Sequence, residues 1–161
     1  MWTSREILQS QWLLNKPIVV LDTNILLDIL VFDDERAHPL RGALEGGFVD
    51  AVATTRTIDE FVDVVSRPQF KLTAEAQNSI VKQWRSWCRV VEDATLDVAP
   101  WKCKDRDDQV FINLTYTLRP ATLISKDKQV LKVAKRALKE QVVITPDHSS
   151  FIWHRSNKGK L

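Results

Sequence analysis

Residues 17–31, PIVVLDTNILLDILV, constrain the fold of this chain more than any other stretch. Ile18, Val19, Val20 and Leu21 form a continuous apolar run, β-branched and too short for a helix. A strand reads this way when a parallel sheet is covered on both faces. Asp22 stands where the run ends, and Ile25, Leu26, Ile29 and Leu30 follow at helical spacing. Ligands of open α/β sheets bind beyond the carboxyl ends of the strands, so Asp22 falls on the working edge. Taken alone it reads as a helix cap.

The same grammar recurs along the chain. Asp33-Asp34-Glu35-Arg36 and Pro39 break the pattern, and a short helix over 39–44 stops at Gly46-Gly47. A brief strand over 50–54 leads into a helix over 57–66, which Pro68 ends. Its apolar stripe reads as Ile58, Phe61, Val62 and Val65, with Glu60 opposite and Val64 stacked above Glu60. The longest predicted helix spans 73–91, with Ala76, Ile80, Trp84, Trp87 or Cys88, and Val91 in period. Trp84 and Trp87 read as core or an oligomer interface rather than as base-stacking platforms.

The run Cys103-Lys104-Asp105-Arg106-Asp107-Asp108 is the densest acidic cluster. Phe111, Ile112, Leu114, Thr115 and Leu118 follow as a buried helix, which puts Asp108 in its first turn. A strand over 121–125 precedes Asp127, again at the start of a helix. That helix turns Val130, Leu131, Ala134 and Leu138 inward. Its outer face of Lys128, Lys132, Lys135, Arg136 and Lys139 reads first as a solvated surface. The strand 142–144 ends at Pro146.

Repeated β-α units with such apolar strands predict a three-layer α/β/α sandwich around a central, mainly parallel sheet. The expected organisation is an amphipathic N-terminal helical extension over 1–16 (Ile7, Leu8, Trp12, Leu13), one domain over 17–155 and a frayed tail over 156–161. Phe151, Ile152 and Trp153 are expected to dock. A length of 161 residues with 44% hydrophobic and 27% charged residues suits a single globular domain. No run approaches the roughly 20 apolar residues of a membrane span. The start, interrupted by Glu6, does not read as a secretory signal, so a cytoplasmic location is expected. Cys88 and Cys103 lack motif spacing and need no disulfide. His38, His148 and His154 have no metal-ligand spacing, which argues against zinc.

Asp22, Glu60, Asp108 and Asp127 therefore share one topological address, the start of a helix on one side of a parallel sheet. Any one of them is explained by capping or by the helix dipole. Four converging carboxylates, however, repel one another and raise their pKa values unless a cation is present. Oxygen-only ligation suits Mg²⁺ or Mn²⁺, and such a cluster is what phosphodiester hydrolysis needs.

The runs VVLDTNILLD, TTRTIDEFVDVVSRPQF, CKDRDDQVFINLTY and TLISKDKQVLKV together resemble the PIN domain family over about Pro17 to Pro146. They look most like its bacterial toxins of toxin–antitoxin systems, to which the VapC-type toxins are related. The resemblance implies a Mg²⁺- or Mn²⁺-dependent endoribonuclease whose partners are RNA, an antitoxin protein and a second copy of the chain. Asp22, Glu60, Asp108 and Asp127 match the family's acids. Thr23 and Asn24 match the residues after the first acid, and Ser125 matches the hydroxyl position of the last motif. Arg106 stands where relatives usually carry proline, so Asp105 or Asp107 is a sharer of the third-acid role. Asp22, Asp108 and Asp127 are expected to hold metal, with Glu60 orienting water or holding a second ion. Lys126, Arg67 and Lys71 are candidate phosphate contacts. The alternative is a non-catalytic PIN-fold module that binds RNA or protein.

Overall fold

The computed structural model describes residues 16–148. The expected N-terminal extension, the docking of Phe151 to Trp153 and the frayed tail lie outside the described residues. Five strands, β1 (Ile18–Leu21), β2 (Asp50–Thr54), β3 (Cys88–Val91), β4 (Ala121–Ile124) and β5 (Val142–Thr145), form one sheet. Their order is β3-β2-β1-β4-β5, and every pairing is parallel. Helices α1 (Thr23–Leu30), α2 (His38–Glu45), α3 (Thr55–Val65) and α4 (Ala74–Trp87) contribute to the core on one face. Helices α5 (Arg106–Thr117), α6 (Lys128–Leu131) and α7 (Ala134–Leu138) contribute to the core on the other.

The two-residue period of a strand divides these cores. Val19 and Leu21 enter the cluster with Ile25, Phe61 and Trp84, whereas Val20 enters the one with Phe111, Ile112 and Leu114. This is a three-layer α/β/α sandwich. Chain order reverses between the central strands β1 and β4, so the crevice beyond their carboxyl ends is a topological switch point. Asp22 follows β1 there, and Ser125 to Asp127 follow β4.

Three local features differ from the sequence expectation. The helical period reaching Val91 is interrupted at Trp87, and Cys88–Val91 pair with Ala51 to Thr54 as an edge strand. The open edge of β2 and the adjacent valines Val90 and Val91 win over periodicity. Arg89 Nη2, 2.7 Å from Asp50 Oδ2, ties the same two strands together. In α3 it is Val64, 8% exposed, that joins the core, while Val62 is 41% exposed. The inward face is therefore rotated toward Glu60. The last predicted helix is two short ones, α6 and α7, which bury Val130, Val133 and Ala137 and leave Leu138 outside.

Trp84 is 1% exposed and belongs to the core. Trp87 is half-buried under the Arg41 guanidinium, 5.7 Å from its ring centre. Cys88 and Cys103 are free thiols, and burial pushes Cys88 up to about 11, which keeps it protonated and unreactive at neutral pH. Among the described residues no helix is long and apolar enough to cross a membrane.

Candidate functional site

Asp22 is the N-cap of α1, and it is buried. Its Oδ1 accepts the Thr23 N–H at 2.7 Å, and its Oδ2 accepts the Ser125 hydroxyl at 2.5 Å. Ser125, fully buried one residue past β4, also accepts the Asp127 N–H at 3.0 Å. One hydroxyl thus couples the first and last acids of the site, reaching Asp22 from 103 positions further along the chain. Asp127 is the N-cap of α6, its Oδ1 accepting from the N–H groups of Gln129 and Val130. Asn24 Oδ1 accepts the Lys126 N–H at 3.3 Å, a second tie between α1 and the same turn.

Glu60 enters from α3, where a Thr54/Thr57 capping box starts the helix directly off β2. The Thr23 hydroxyl donates to Glu60 Oε2 at 3.0 Å. Asp105 caps α5 through the Asp107 N–H at 2.9 Å, and Asp108 follows in the first turn. Asp22, Asp105 and Asp127 cap the starts of α1, α5 and α6, Thr54 caps α3, and Glu60 and Asp108 reach the cluster from inside their helices.

The electrostatics show that these acids face one another. Burial pushes Asp108 up to about 7, and the charges of Asp22 and Asp127, its hydrogen bond to the Asp127 carboxyl and the charge of Asp105 push the same way. Burial also raises Asp22, against the Ser125 and Thr23 hydrogen bonds, and the charges of Asp127 and Asp105 add to the rise. Glu60 is raised by burial, lowered by its Thr23 hydrogen bond, raised by Asp22 and Asp107, and lowered by Arg67. Asp105 thus acts on the Asp22 and Asp108 side, whereas exposed Asp107 acts on Glu60 and lies 3.9 Å from Arg56.

The donor set is oxygen-only, the kind that hard divalent cations take, and its excess negative charge is what such a cation neutralises. In kind, the residues fit Mg²⁺ or Mn²⁺. Among the described residues no three His, Cys, Asp or Glu side chains are already drawn into a ligand set for one ion. Oxygens of Asp22 and Asp127 are engaged with Ser125, Thr23 and the α6 amides instead.

The basic candidates differ in placement. The Lys126 ammonium sits 2.6 Å from Asp28 Oδ2, so its charge is already paired. Arg67 pairs with Asp63 at 3.1 Å and lines a cleft of about 220 Å³ with Arg56, Glu60, Asp63, Asp107 and Val110. Lys71 is exposed after the 3-10 turn Pro68–Phe70, with φ of 52°.

Two features are absent from the sequence reading. Arg56 lies in the TTRTIDEF run without being a candidate there, and it reaches the cleft because α3 begins beside it. Asp28 is 4% exposed and contacts both Lys126 and His148 Nε2, the latter at 3.3 Å. Its signal is present in the sequence, since an acid three residues after Ile25 lies on the inward stripe of α1. Compared with known families, the chain matches the PIN domain over residues 18–129. No curated protein matches it.

Proposed function

The chain belongs to the PIN domain family, a nuclease-type fold, and from that premise we propose that it is a Mg²⁺- or Mn²⁺-dependent endoribonuclease, the toxin of a toxin–antitoxin pair. The observation that carries this reading is the mutual electrostatic contact of Asp22, Asp108 and Asp127 at the switch point, with Glu60 joined to Asp22 through Thr23. Asp22, Asp108 and Asp127 would hold the cation, with Asp105 beside them. When bound, such an ion neutralises the scissile phosphate and lowers the pKa of the attacking water.

The chain's own residues do the rest. Ser125 and Thr23 fix both oxygens of Asp22, so its carboxylate presents one orientation without reorganising. Glu60, oriented by the Thr23 hydroxyl and raised in proton affinity by burial, orients the attacking water and takes its proton at a carboxylate oxygen. As water oxygen bonds to phosphorus, the bond to the leaving ribose oxygen breaks and that oxygen takes up a proton from bulk water. Asn24 holds the turn that carries Lys126 and Asp127. In this reading the partners are RNA, an antitoxin protein and a second copy of the chain, and the location is cytoplasmic.

The test is cleavage of a labelled single-stranded RNA, beside a DNA of matched sequence, with Mg²⁺ or Mn²⁺ titrated in. Wild type should cut the RNA only with metal, and Asp22→Asn should lose at least about a hundredfold in rate, as removal of a group central to charge stabilisation does. Equal metal-dependent cleavage by Asp22→Asn overturns the assignment. RNA binding without cleavage at any metal concentration would make the chain an RNA-binding PIN domain.

A further inference from the structure

The cleft that holds Glu60 has a larger neighbour. It shares Arg56 and Val110 with a larger groove of about 730 Å³ that runs along α5 and the segment before it. That segment, residues 96–104, is built as a wall. Burial alternates along it, with Ala99, Trp101 and Cys103 turned inward and Val98, Pro100, Lys102 and Lys104 outward. The inward side is pinned to α5 by side chains of that helix. Asn113 Oδ1 accepts the Ala99 N–H at 3.0 Å, Gln109 Oε1 accepts the Cys103 N–H at 2.6 Å, and Gln109 Nε2 donates to Trp101 O at 3.1 Å. Trp101 then packs edge-on against Tyr116 with ring centres 5.3 Å apart.

The outer face of this wall holds Lys102 and Lys104, and Arg106 follows at the start of α5. Among the described residues no carboxylate forms an ion pair with any of the three. On the opposite side, the Arg56 N–H donates to Asp93 Oδ2 at 3.1 Å, which joins α3 to the turn after β3 and closes the groove. Val98, 65% exposed, and Val110 supply apolar floor between the cations. Unpaired cations on a pinned wall, with an exposed valine among them, adjoin the Glu60 cleft through the shared residues Arg56 and Val110.

We propose that this groove is a binding track for a single-stranded RNA, with the unpaired Lys102, Lys104 and Arg106 on the phosphates and the bases over the exposed Val98. Single strands are bound by basic grooves that follow the backbone, with sequence-tolerant contacts to the bases. The proposal rests on the nuclease reading above and adds the side from which substrate reaches Glu60. The acids alone would repel a polyanion, and the paired ammonium of Lys126 offers it little. The track supplies the attraction that the site lacks.

The test uses a fluorescein-labelled mixed-sequence single-stranded RNA and the full chain carrying Asp22→Asn to suppress cleavage. Affinity is measured from low to moderate salt with and without the exposed pair Lys102→Ala/Lys104→Ala. The pair should weaken binding about tenfold at low salt and make the slope of log affinity against log salt shallower by about 1.4, two phosphate contacts on a single strand. Lys132→Ala/Lys135→Ala, on the solvated face of the last helices, should change neither. Unchanged affinity and slope in the Lys102/Lys104 variant, while wild type still cuts RNA with metal, overturns the track and leaves the nuclease reading intact. Absence of metal-dependent cleavage by wild type, with RNA binding that still depends on Lys102 and Lys104, removes the nuclease reading and leaves a strand-binding groove. Loss of binding to poly-glutamate with RNA binding unchanged assigns the groove to an acidic peptide and overturns the proposal.

Discussion

Ser125 carries two hydrogen bonds on one buried hydroxyl, donating to Asp22 and accepting from the Asp127 amide. In Ser125→Ala the buried Asp22 carboxylate loses its hydroxyl donor while the half-buried Asp127 amide can turn to water, and one buried group left unsatisfied costs about 1–3 kcal/mol. Urea unfolding should show a loss in that range, and an unchanged midpoint would contradict the buried coupling. Asp108 makes a pH prediction. Its folded pKa of about 7 stands above the unfolded 3.8, so between these values the folded state keeps a proton that the unfolded chain has released. Stability in the absence of metal should therefore fall as pH rises through that window, and Asp22 and Glu60 act in the same direction. Melting temperatures across this range should decline in wild type and decline less in Asp108→Asn. Equal slopes would show that Asp108 does not carry the strain. Asp22 and Asp127 stood out because each follows an apolar strand at a helix start, whereas Glu60 lies one turn into its helix and Asp108 follows an acidic loop. Ser125 was legible only as a hydroxyl position, since its two partners meet through the pairing of β1 with β4.

Helix α1 carries more than Asp22. Asp28, one face further along, holds Lys126 and His148 together beneath the turn that bears Ser125 and Asp127. Asp28→Ala strands the buried His148 ring and frees Lys126, and should cost about 1–3 kcal/mol. The same variant should broaden the backbone amide resonances of Ser125 and Asp127 in NMR spectra. Sharp, unshifted signals there would confine Asp28 to a purely local role. At this scale α1, α3 and α5 were readable from their apolar stripes, although α3 starts at Thr55, two residues ahead of the expected 57, on its Thr54/Thr57 capping box. The edge strand β3 was not, because its four residues continue the apolar period of α4 and only contact with β2 makes them a strand. The split of the last helix into α6 and α7 likewise follows packing on β5, which selects Val133 and Ala137 over Leu138.

The whole molecule converts a strand order into a site. With β1 and β4 at the centre of an all-parallel sheet, the helices that directly follow β1, β2 and β4 start at one edge, and their acids Asp22, Glu60 and Asp127 come together there with Asp108 of α5. That outcome follows from the β-α repeat, so the address of the site was legible before any contact was. The gathering of Arg56, Lys102 and Lys104 around one groove was not, because nothing in their spacing marks them as neighbours. The central claim is that Asp22, Asp108 and Asp127 form one cation site. Its most direct test is calorimetric titration of Mn²⁺ into wild type, Asp22→Asn and Asp108→Asn at pH 7, repeated in buffers of different ionisation enthalpy. Wild type should bind the ion and release a fraction of a proton as Asp108 ionises, and both variants should bind far more weakly with less proton release. Binding of equal strength in all three proteins, or no binding by wild type, would mean that these acids cap their helices and do nothing more.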